Sequence, residues 1–496
     1  MNIAHHVARA SHFFPDKPAI FFETRTYTYR ELDETANRLA NSLRALGVQR
    51  GDRVSLFLPN IPAFALAYLA TLRIGAVAVS INSLFKTDEV RYIVNDSGSV
   101  ALFTTADMAP QLDRVGMPGL KSVIIGEGQT GGEIHLDDLV AKGASTFQAE
   151  DMGRDDNAAL LYTSGTTGNP KGVILTHGNV ISNIYATNHH AGMRTDDRLM
   201  LFLPLFHCFG QNFIMNAAFN VGATLLMHRR FDMERTVDSI KRDGATMFFA
   251  VPTIYIYLLG NPSYNLSSIR YWFSAAAAMP HEIALQWLDR TGKPINEGYG
   301  LTECSPFAAY NHDFRYKPAT VGTPIENVEM KIFDEDDQEV PIGEMGEIVI
   351  RGPNVMKGYF GKEKDTAAAL RSGWLHSGDI GYQDDEGYFH IADRVKDMIN
   401  AAGFKVYPVE VENVLYKHPA IQEAAVYGVP DPVKGEAVEA AIVLRAGAQA
   451  TPEEIIEFCR SRIAVFKAPR AVHLVPQLPK SATGKILKRI LRDQGN

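Results

Sequence analysis

The sequence predicts an α/β protein: a large N-terminal domain of two α/β subdomains with parallel-rich sheets, a small β-rich subdomain, and a small α+β C-terminal domain. Three observations predict it. Ahead of Gly322, short apolar runs that read as strands alternate with segments of helical periodicity, the grammar of parallel sheets covered on both faces. From Gly322 the composition shifts to strands and turns, and the final stretch mixes helices and strands anew. At 496 residues the chain also exceeds one ordinary core.

Taken in order, Thr28-Tyr-Arg-Glu31 reads as a capping box with Glu31 at the third helical position. Leu32, Ala36, Leu39, Leu43 and Leu46 follow at helical spacing, and Gly47 ends that helix. A strand over 54–58, a helix over 64–74, a strand over 76–81, a helix over 87–95 and a strand over 101–104 come next. A helix from His177, a strand over 199–203, a helix over 210–219 and a strand over 223–227 repeat the pattern. The helix–Gly–Ala–strand junction Ile74-Gly-Ala-Val77 returns as Val221-Gly-Ala-Thr224, suggesting two related subdomains. Strands are expected over 328–333, 346–351 and 381–391, the last a hairpin around Asp384-Asp-Glu-Gly387. The C-terminal unit reads as helix 408–417, strands 424–429 and 437–444, and helix 452–462. The boundary falls at Asp393 to Lys396, dividing residues 1–392 from 397–496.

Bulk composition narrows the function. With 46% apolar and 21% charged residues the chain reads as a globular protein. A formal charge of −8 without a long single-sign run argues against a nucleic-acid binder steered by a basic face. Cys208, Cys304 and Cys459 are too few and too scattered for a disulfide framework or a zinc site. The N-terminus lacks a basic region followed by an apolar core, and Arg73 and Gly75 break the longest apolar stretch, 61–81. No transmembrane segment and a cytoplasmic location are therefore expected.

The stretch Tyr162-Thr-Ser-Gly-Thr-Thr-Gly-Asn-Pro-Lys-Gly172 joins glycines, hydroxyls and one lysine behind an apolar run. Such a loop can aim backbone N–H groups and side-chain donors at phosphate oxygens. It is not a Walker loop, because Gly172 follows Lys171. Further along, in order, come Tyr299-Gly-Leu-Thr-Glu303, Ser377-Gly-Asp379, Asp393-Arg-Val-Lys396 and Pro479-Lys-Ser-Ala-Thr-Gly-Lys485.

With these motifs the chain resembles, over nearly its whole length, the adenylate-forming (AMP-binding) superfamily of acyl- and aryl-CoA synthetases, peptide-synthetase adenylation domains and firefly-type luciferases. The segment Glu297 to Pro306 is most similar to bacterial fatty acyl-CoA ligases. The resemblance implies that Thr163, Ser164, Gly165, Thr166, Thr167, Gly168 and Lys171 hold the β- and γ-phosphates of ATP. It implies Glu303 as a Mg²⁺ ligand, with Thr166 as a candidate second, and Thr302 on the α-phosphate. Tyr299 would stack on adenine, with Gly300 and Ala276 beside the nucleotide, and Asp379 and Arg394 would take the ribose. In Ser274 to Met279, Ala275 stands where the family usually carries glycine.

Lys485 would reach the α-phosphate and the acid's carboxylate, whereas Lys480, Lys488 and Arg489 receive no catalytic role. His207 resembles the gating histidine of fatty- and aryl-acid ligases. Leu205-Phe-His-Cys-Phe-Gly210 lacks the aspartate with which amino-acid-activating relatives hold an amine. Lys396 would be the hinge of a mobile C-terminal domain, whose segment 402–406, with Lys405, would help admit the thiol. The acyl wall, 211–218, mixes Phe213, Ile214 and Met215 with Gln211, Asn212 and Asn216, from which no chain length follows. The implied reaction makes an acyl-AMP from a fatty or similar apolar acid, releases pyrophosphate, and transfers the acyl group to coenzyme A. The phosphopantetheine arm of an acyl carrier protein is the alternative acceptor. A luciferase-like oxygenase would share these motifs, while Lys485 and Glu303 disfavour a nucleotide-binding module without chemistry.

Overall fold

The computed structural model describes residues 1–496 apart from 164–168, 395–396, 402–403, 432–434, 482–483 and 495–496, and only the backbone of 313, 394, 493 and 494. An eight-stranded sheet has Asn157–Thr163, Val77–Ser80, Arg53–Leu56, Ser99–Thr105 and Ser122–Glu127 side by side and parallel. The helix Pro62–Arg73 that links two of them is buried at every residue. That suits its apolar side chains, which leave no polar face for water. Lys171–Thr176 returns antiparallel to Asn157–Thr163, and Gly358–Tyr359 pairs outside it. The glycine- and threonine-rich stretch thus joins two strands of a hairpin.

A nine-stranded sheet repeats the plan. Pro18–Phe22, Thr224–Met227, Arg198–Leu201, Met247–Ala250, Tyr271–Ser274 and Ile295–Gly300 run parallel, and Phe307–Tyr310 and Thr323–Pro324 continue it antiparallel. The two sheets share the junction foreseen in the sequence. Gly75 and Gly222 leave their helices at φ +72° and +73°, the left-handed region open to glycine, and each leads into a parallel strand.

Glu329–Phe333, Gly346–Arg351, Leu375–Gln383 and Phe389–Arg394 form a four-stranded antiparallel sheet. Beyond it, Ile399–Ala401, Phe404–Val406, Ile421–Asp431, Gly435–Leu444 and Ala471–Leu474 make the C-terminal sheet, with helices Pro408–Leu415, Pro452–Arg460 and Lys488–Gln494. The expected helix over 210–219 is instead a π-helix, Phe209–Asn216, followed by the α-helix Ala217–Val221. Tertiary hydrogen bonds hold its buried amides: Gln211 Nε2 donates to Ser80 Oγ at 2.6 Å and Asn216 Nδ2 to the Tyr68 hydroxyl at 3.0 Å. Among the described residues, no helix is long and apolar enough to cross a membrane.

Candidate active site

Tyr299 lies near the end of the strand Ile295–Gly300, where its buried hydroxyl donates to Asp379 Oδ2 at 2.7 Å. Burial, then the Asp379 charge, pushes that phenol well above its ordinary pKa, so the ring stays neutral. The Asp379 N–H donates to Ser377 Oγ at 3.1 Å, and Asp379 pairs with Arg394 across the hairpin. The Arg394 side chain lies outside the described residues. At Gly300 an added Cβ would sit 1.9 Å from the Pro306 carbonyl oxygen, so this backbone approach excludes any side chain. Ala276 holds a left-handed φ of +71° at an exposed position. Glu297 precedes Tyr299 by two residues and so shares its face of the strand. It is buried, desolvation raises its pKa to about 8, and its Oε1 meets no hydrogen-bond partner among the described residues.

Thr163 and Lys171 are cross-strand partners at the mouth of the hairpin. Ser164, Gly165, Thr166, Thr167 and Gly168 lie between them, outside the described residues. Lys171 is ion-paired with Asp365, and its ammonium lies 5.3 Å from the centre of the Tyr359 ring. The Tyr359 hydroxyl in turn donates to Glu303 Oε1 at 2.9 Å. Glu303 is carried on the short turn Thr302–Cys304 that follows the Tyr299 strand. Tyr359 and Asp365 were not foreseen. They arrive because Gly358–Tyr359 pairs with Lys171–Thr176, and a two-residue strand that distant leaves no local periodicity. No group of three His, Cys, Asp or Glu side chains that could hold a metal occurs among the described residues. A cation at Glu303 would therefore take most of its oxygens from a ligand and water.

The third part of the site comes from two domains. The Phe209 N–H donates to His207 Nδ1 at 3.2 Å, so the neutral ring carries its proton on Nε2. Burial, and then the charge of Lys485, depresses the His207 pKa to about 4. The neighbouring Cys208 Sγ is 3.6 Å from Thr302 Oγ1, which seats this segment against the Tyr299–Glu303 motif. Lys485 comes from the C-terminal domain, in a loop closed by Ser481 N–H donating to the Lys485 carbonyl at 2.8 Å. Lys480 donates to the Tyr257 hydroxyl at 2.9 Å, and a Cβ on Gly484 would lie 2.8 Å from Val251 Cγ2. The loop is thus docked on the large domain, close enough for the Lys485 charge to be felt at His207. The neighbouring cations have structural work: Lys480 also bonds Glu423, and Lys488 pairs with Glu412 at 2.9 Å.

Lys405 stands apart from this cluster, 60% exposed, with its ammonium 3.9 Å from Glu335. Lys396 lies outside the described residues. A cleft of about 1330 Å³ opens beside the docked loop, lined by Phe206, Tyr257, Lys480 and Gly484 at one end and by Lys86, Arg230 and Arg235 elsewhere.

Lys480 on Tyr257 and Gly484 against Val251 thus join the C-terminal loop to the larger part of the chain. The family model described as AMP-binding enzyme matches residues 7–360, and that of the AMP-binding enzyme C-terminal domain matches residues 410–485. A long-chain-fatty-acid–CoA ligase of Bacillus subtilis is 38% identical over 97% of this chain and 92% of its own length. A feruloyl-CoA synthase of an Amycolatopsis species is 36% identical over 98% and 97%. Among solved structures, an anthranilate CoA ligase in complex with anthranoyl-AMP superposes with a TM-score of 0.95 at 30% identity, covering 100% of this chain and 97% of that one. ATP-bound MatB from Rhodopseudomonas palustris gives 0.92 at 32% identity, covering 100% and 99%. The chain belongs to the AMP-binding enzyme family. It is a ligase that forms carbon–sulfur bonds, of the AMP-forming acyl-CoA synthetase type.

Proposed function

We propose that the protein activates an apolar carboxylic acid, fatty or aromatic, as its acyl-adenylate with release of pyrophosphate, and then passes the acyl group to coenzyme A. What supports this reading is the docking of the Lys485 loop on the large domain, through Lys480 on Tyr257 and Gly484 against Val251, with the Lys485 charge felt at a buried, uncharged His207 whose neighbour Cys208 meets Thr302. Two anions, a carboxylate and the α-phosphate of ATP, must meet there, and charge grows on the transferring oxygens. Positioning and fixed electrostatics supply most of the catalysis in such a step. Because His207 is neutral, Lys485 is the cation that faces both anions.

Tyr299 and Asp379 would hold adenosine, with Arg394 on the ribose, and the hairpin mouth from Thr163 to Lys171 would hold the outer phosphates. Glu303, a single hard carboxylate steadied by Tyr359, fits Mg²⁺, which commonly binds one or two carboxylates and completes its shell with phosphate oxygens and water. The ion would supply neutralisation of phosphate charge. The cleft beside Gly484 supports CoA as the acceptor, because its lining includes Lys86, Arg230, Arg235 and Arg242, interleaved with acids such as Glu23 and Asp232, together with Phe206. The substrates printed for the relatives, long-chain fatty acids and ferulate, support an apolar acid.

Labelled pyrophosphate should exchange into ATP only when Mg²⁺ and a suitable acid are present. Product mass should then show thioester with CoA in preference to pantetheine, whose missing nucleotide forfeits the cationic part of the cleft. Absence of exchange across aliphatic and aromatic acids would overturn the reading. Much faster transfer to a holo-carrier protein than to CoA would reassign the acceptor.

A further inference from the structure

The mouth of the glycine-rich hairpin is strapped by a segment that joins it from far along the chain. Gly358–Tyr359 pairs with Lys171–Thr176, and the Phe360 N–H adds a bond to the Gly172 carbonyl at 2.8 Å. The helix Glu363–Ala369 follows at once, and none of its residues is buried. Its first turn is fastened to the strap by Thr366, whose Oγ1 accepts the Tyr359 N–H at 2.9 Å. A Cβ on Gly358 would fall 2.7 Å from Thr366 Cγ2, so this close approach requires glycine.

These ties bring three side chains of the strap to three points around the hairpin. Tyr359 donates to Glu303, Lys362 Nζ lies 3.6 Å from Asp96 Oδ1, and Asp365 is ion-paired with Lys171. The second contact is anchored at the root of the hairpin, where Asp96 also accepts the Tyr162 hydroxyl at 2.7 Å. The third differs in kind, because it engages the lysine proposed to hold the outer phosphates of ATP. The Asp365 side chain is 40% exposed, and an ion pair so open to water adds little to stability and is readily exchanged. A terminal phosphate offers Lys171 a charge-assisted bond of the same type and carries more negative charge. The carboxylate, left beside it, would repel it.

We infer that Asp365 is a built-in competitor for the phosphate-binding lysine. It holds Lys171 while the outer phosphates are absent, yields the ammonium to them on binding, and takes it back as pyrophosphate leaves. This rests on the reading of Lys171 as a phosphate ligand and adds what regulates it. Such a competitor loosens ATP and favours loss of pyrophosphate, since apparent affinity falls with the fraction of protein whose lysine is free. AMP lacks the outer phosphates and escapes the competition. A carboxylate that served instead to orient Lys171 toward phosphate would have the opposite effect on ATP.

The test is calorimetric binding of ATP and of AMP to the full chain with Mg²⁺ and without acid, with pyrophosphate as a competitor of ATP. Asp365→Asn should tighten ATP by at least about threefold, the size of one exposed ion pair. Pyrophosphate should compete more strongly by a similar factor, with AMP unchanged. Asp365→Glu, which keeps the charge, should bind ATP as the native protein does. Lys171→Ala should weaken ATP by at least about tenfold, the loss of one hydrogen bond between charged groups. In that background Asp365→Asn should tighten ATP by less than it does alone. Equal or weaker ATP binding by Asp365→Asn overturns the inference, as does an equal gain for AMP. Native ATP affinity in Lys171→Ala overturns the phosphate role of Lys171 and the inference with it. A native protein that binds neither nucleotide overturns the ligase reading itself, a distinguishable outcome.

Discussion

In the proposed reaction Lys485 carries one positive charge from the small domain to the place where two anions have to meet, and the lysines nearest it in sequence are already committed to Tyr257, Glu423 and Glu412. Removing one preorganised electrostatic contact of this kind costs on the order of 10²–10³ in rate. Lys485→Ala should lose that much or more in adenylation from acid and ATP. It should still convert supplied acyl-adenylate to thioester at close to the native rate; equal loss in both half-reactions would refute this division of labour. Glu297 sets a second test. Its folded carboxyl is raised to about 8, above the usual carboxylate range, so between those values the folded state holds a proton that the unfolded state has released. Stability therefore falls as pH rises from about 4.5 to about 8, by up to roughly 1.4 kcal/mol per unit. Glu297→Gln lacks this slope, so its Tm relative to the native protein should climb from pH 5 to pH 8 and then level off. A pH-independent difference in calorimetry would mean that Glu297 is ionised in the fold.

At the scale of single elements, what the sequence made legible was what is local. The helix Tyr29–Ala45 starts as expected because Thr28 and Glu31 satisfy each other's backbone N–H groups, a bond pattern written within four residues. The junction glycines Gly75 and Gly222 were likewise visible, since a left-handed helix end needs glycine wherever the chain goes next. The strand Lys171–Thr176 was missed because it borders a glycine-rich loop and only its pairing with Asn157–Thr163 makes it a strand. The π-helix was read as an ordinary helix because apolar spacing does not register one extra residue per turn, and its amides find partners on Tyr68 of the helix Pro62–Arg73 and Ser80 of the other sheet. Within the site, Tyr299, Asp379, Glu303 and Lys485 were named through motif resemblance, which carries long-range pairings that physical periodicity cannot. Tyr359 and Asp365 belong to no such motif, and Glu297 was quoted only as part of its flanks. Their positions follow from sheet register and burial.

For the whole molecule, a single arrangement of the domains cannot easily serve both half-reactions. In this one the Lys485 loop sits on the large domain, with Gly484 against Val251 and Lys480 on Tyr257, while Phe404 and Phe466 stack on each other at the surface of the small domain, 57% and 39% exposed. If the small domain turns after adenylation, as the motif Asp393 to Lys396 suggests, the loop must leave and another face must arrive. The contact at Gly484 makes this testable. A Cβ built there lies 4.0 Å from the Val251 Cβ, within the range that a disulfide spans. Val251→Cys combined with Gly484→Cys removes the crowding methyl group and allows a bridge, at the cost of strain at position 484, whose φ is +81°, while Cys208, Cys304 and Cys459 remain buried. The oxidised double variant should retain acid-dependent pyrophosphate exchange and accumulate acyl-adenylate. Its thioester formation should fall by at least about tenfold, as gating by domain motion requires, and a reductant should restore it. Thioester formation at the native rate in protein shown by mass to be fully bridged would mean that the docked arrangement serves both steps and that no swing of the small domain is needed.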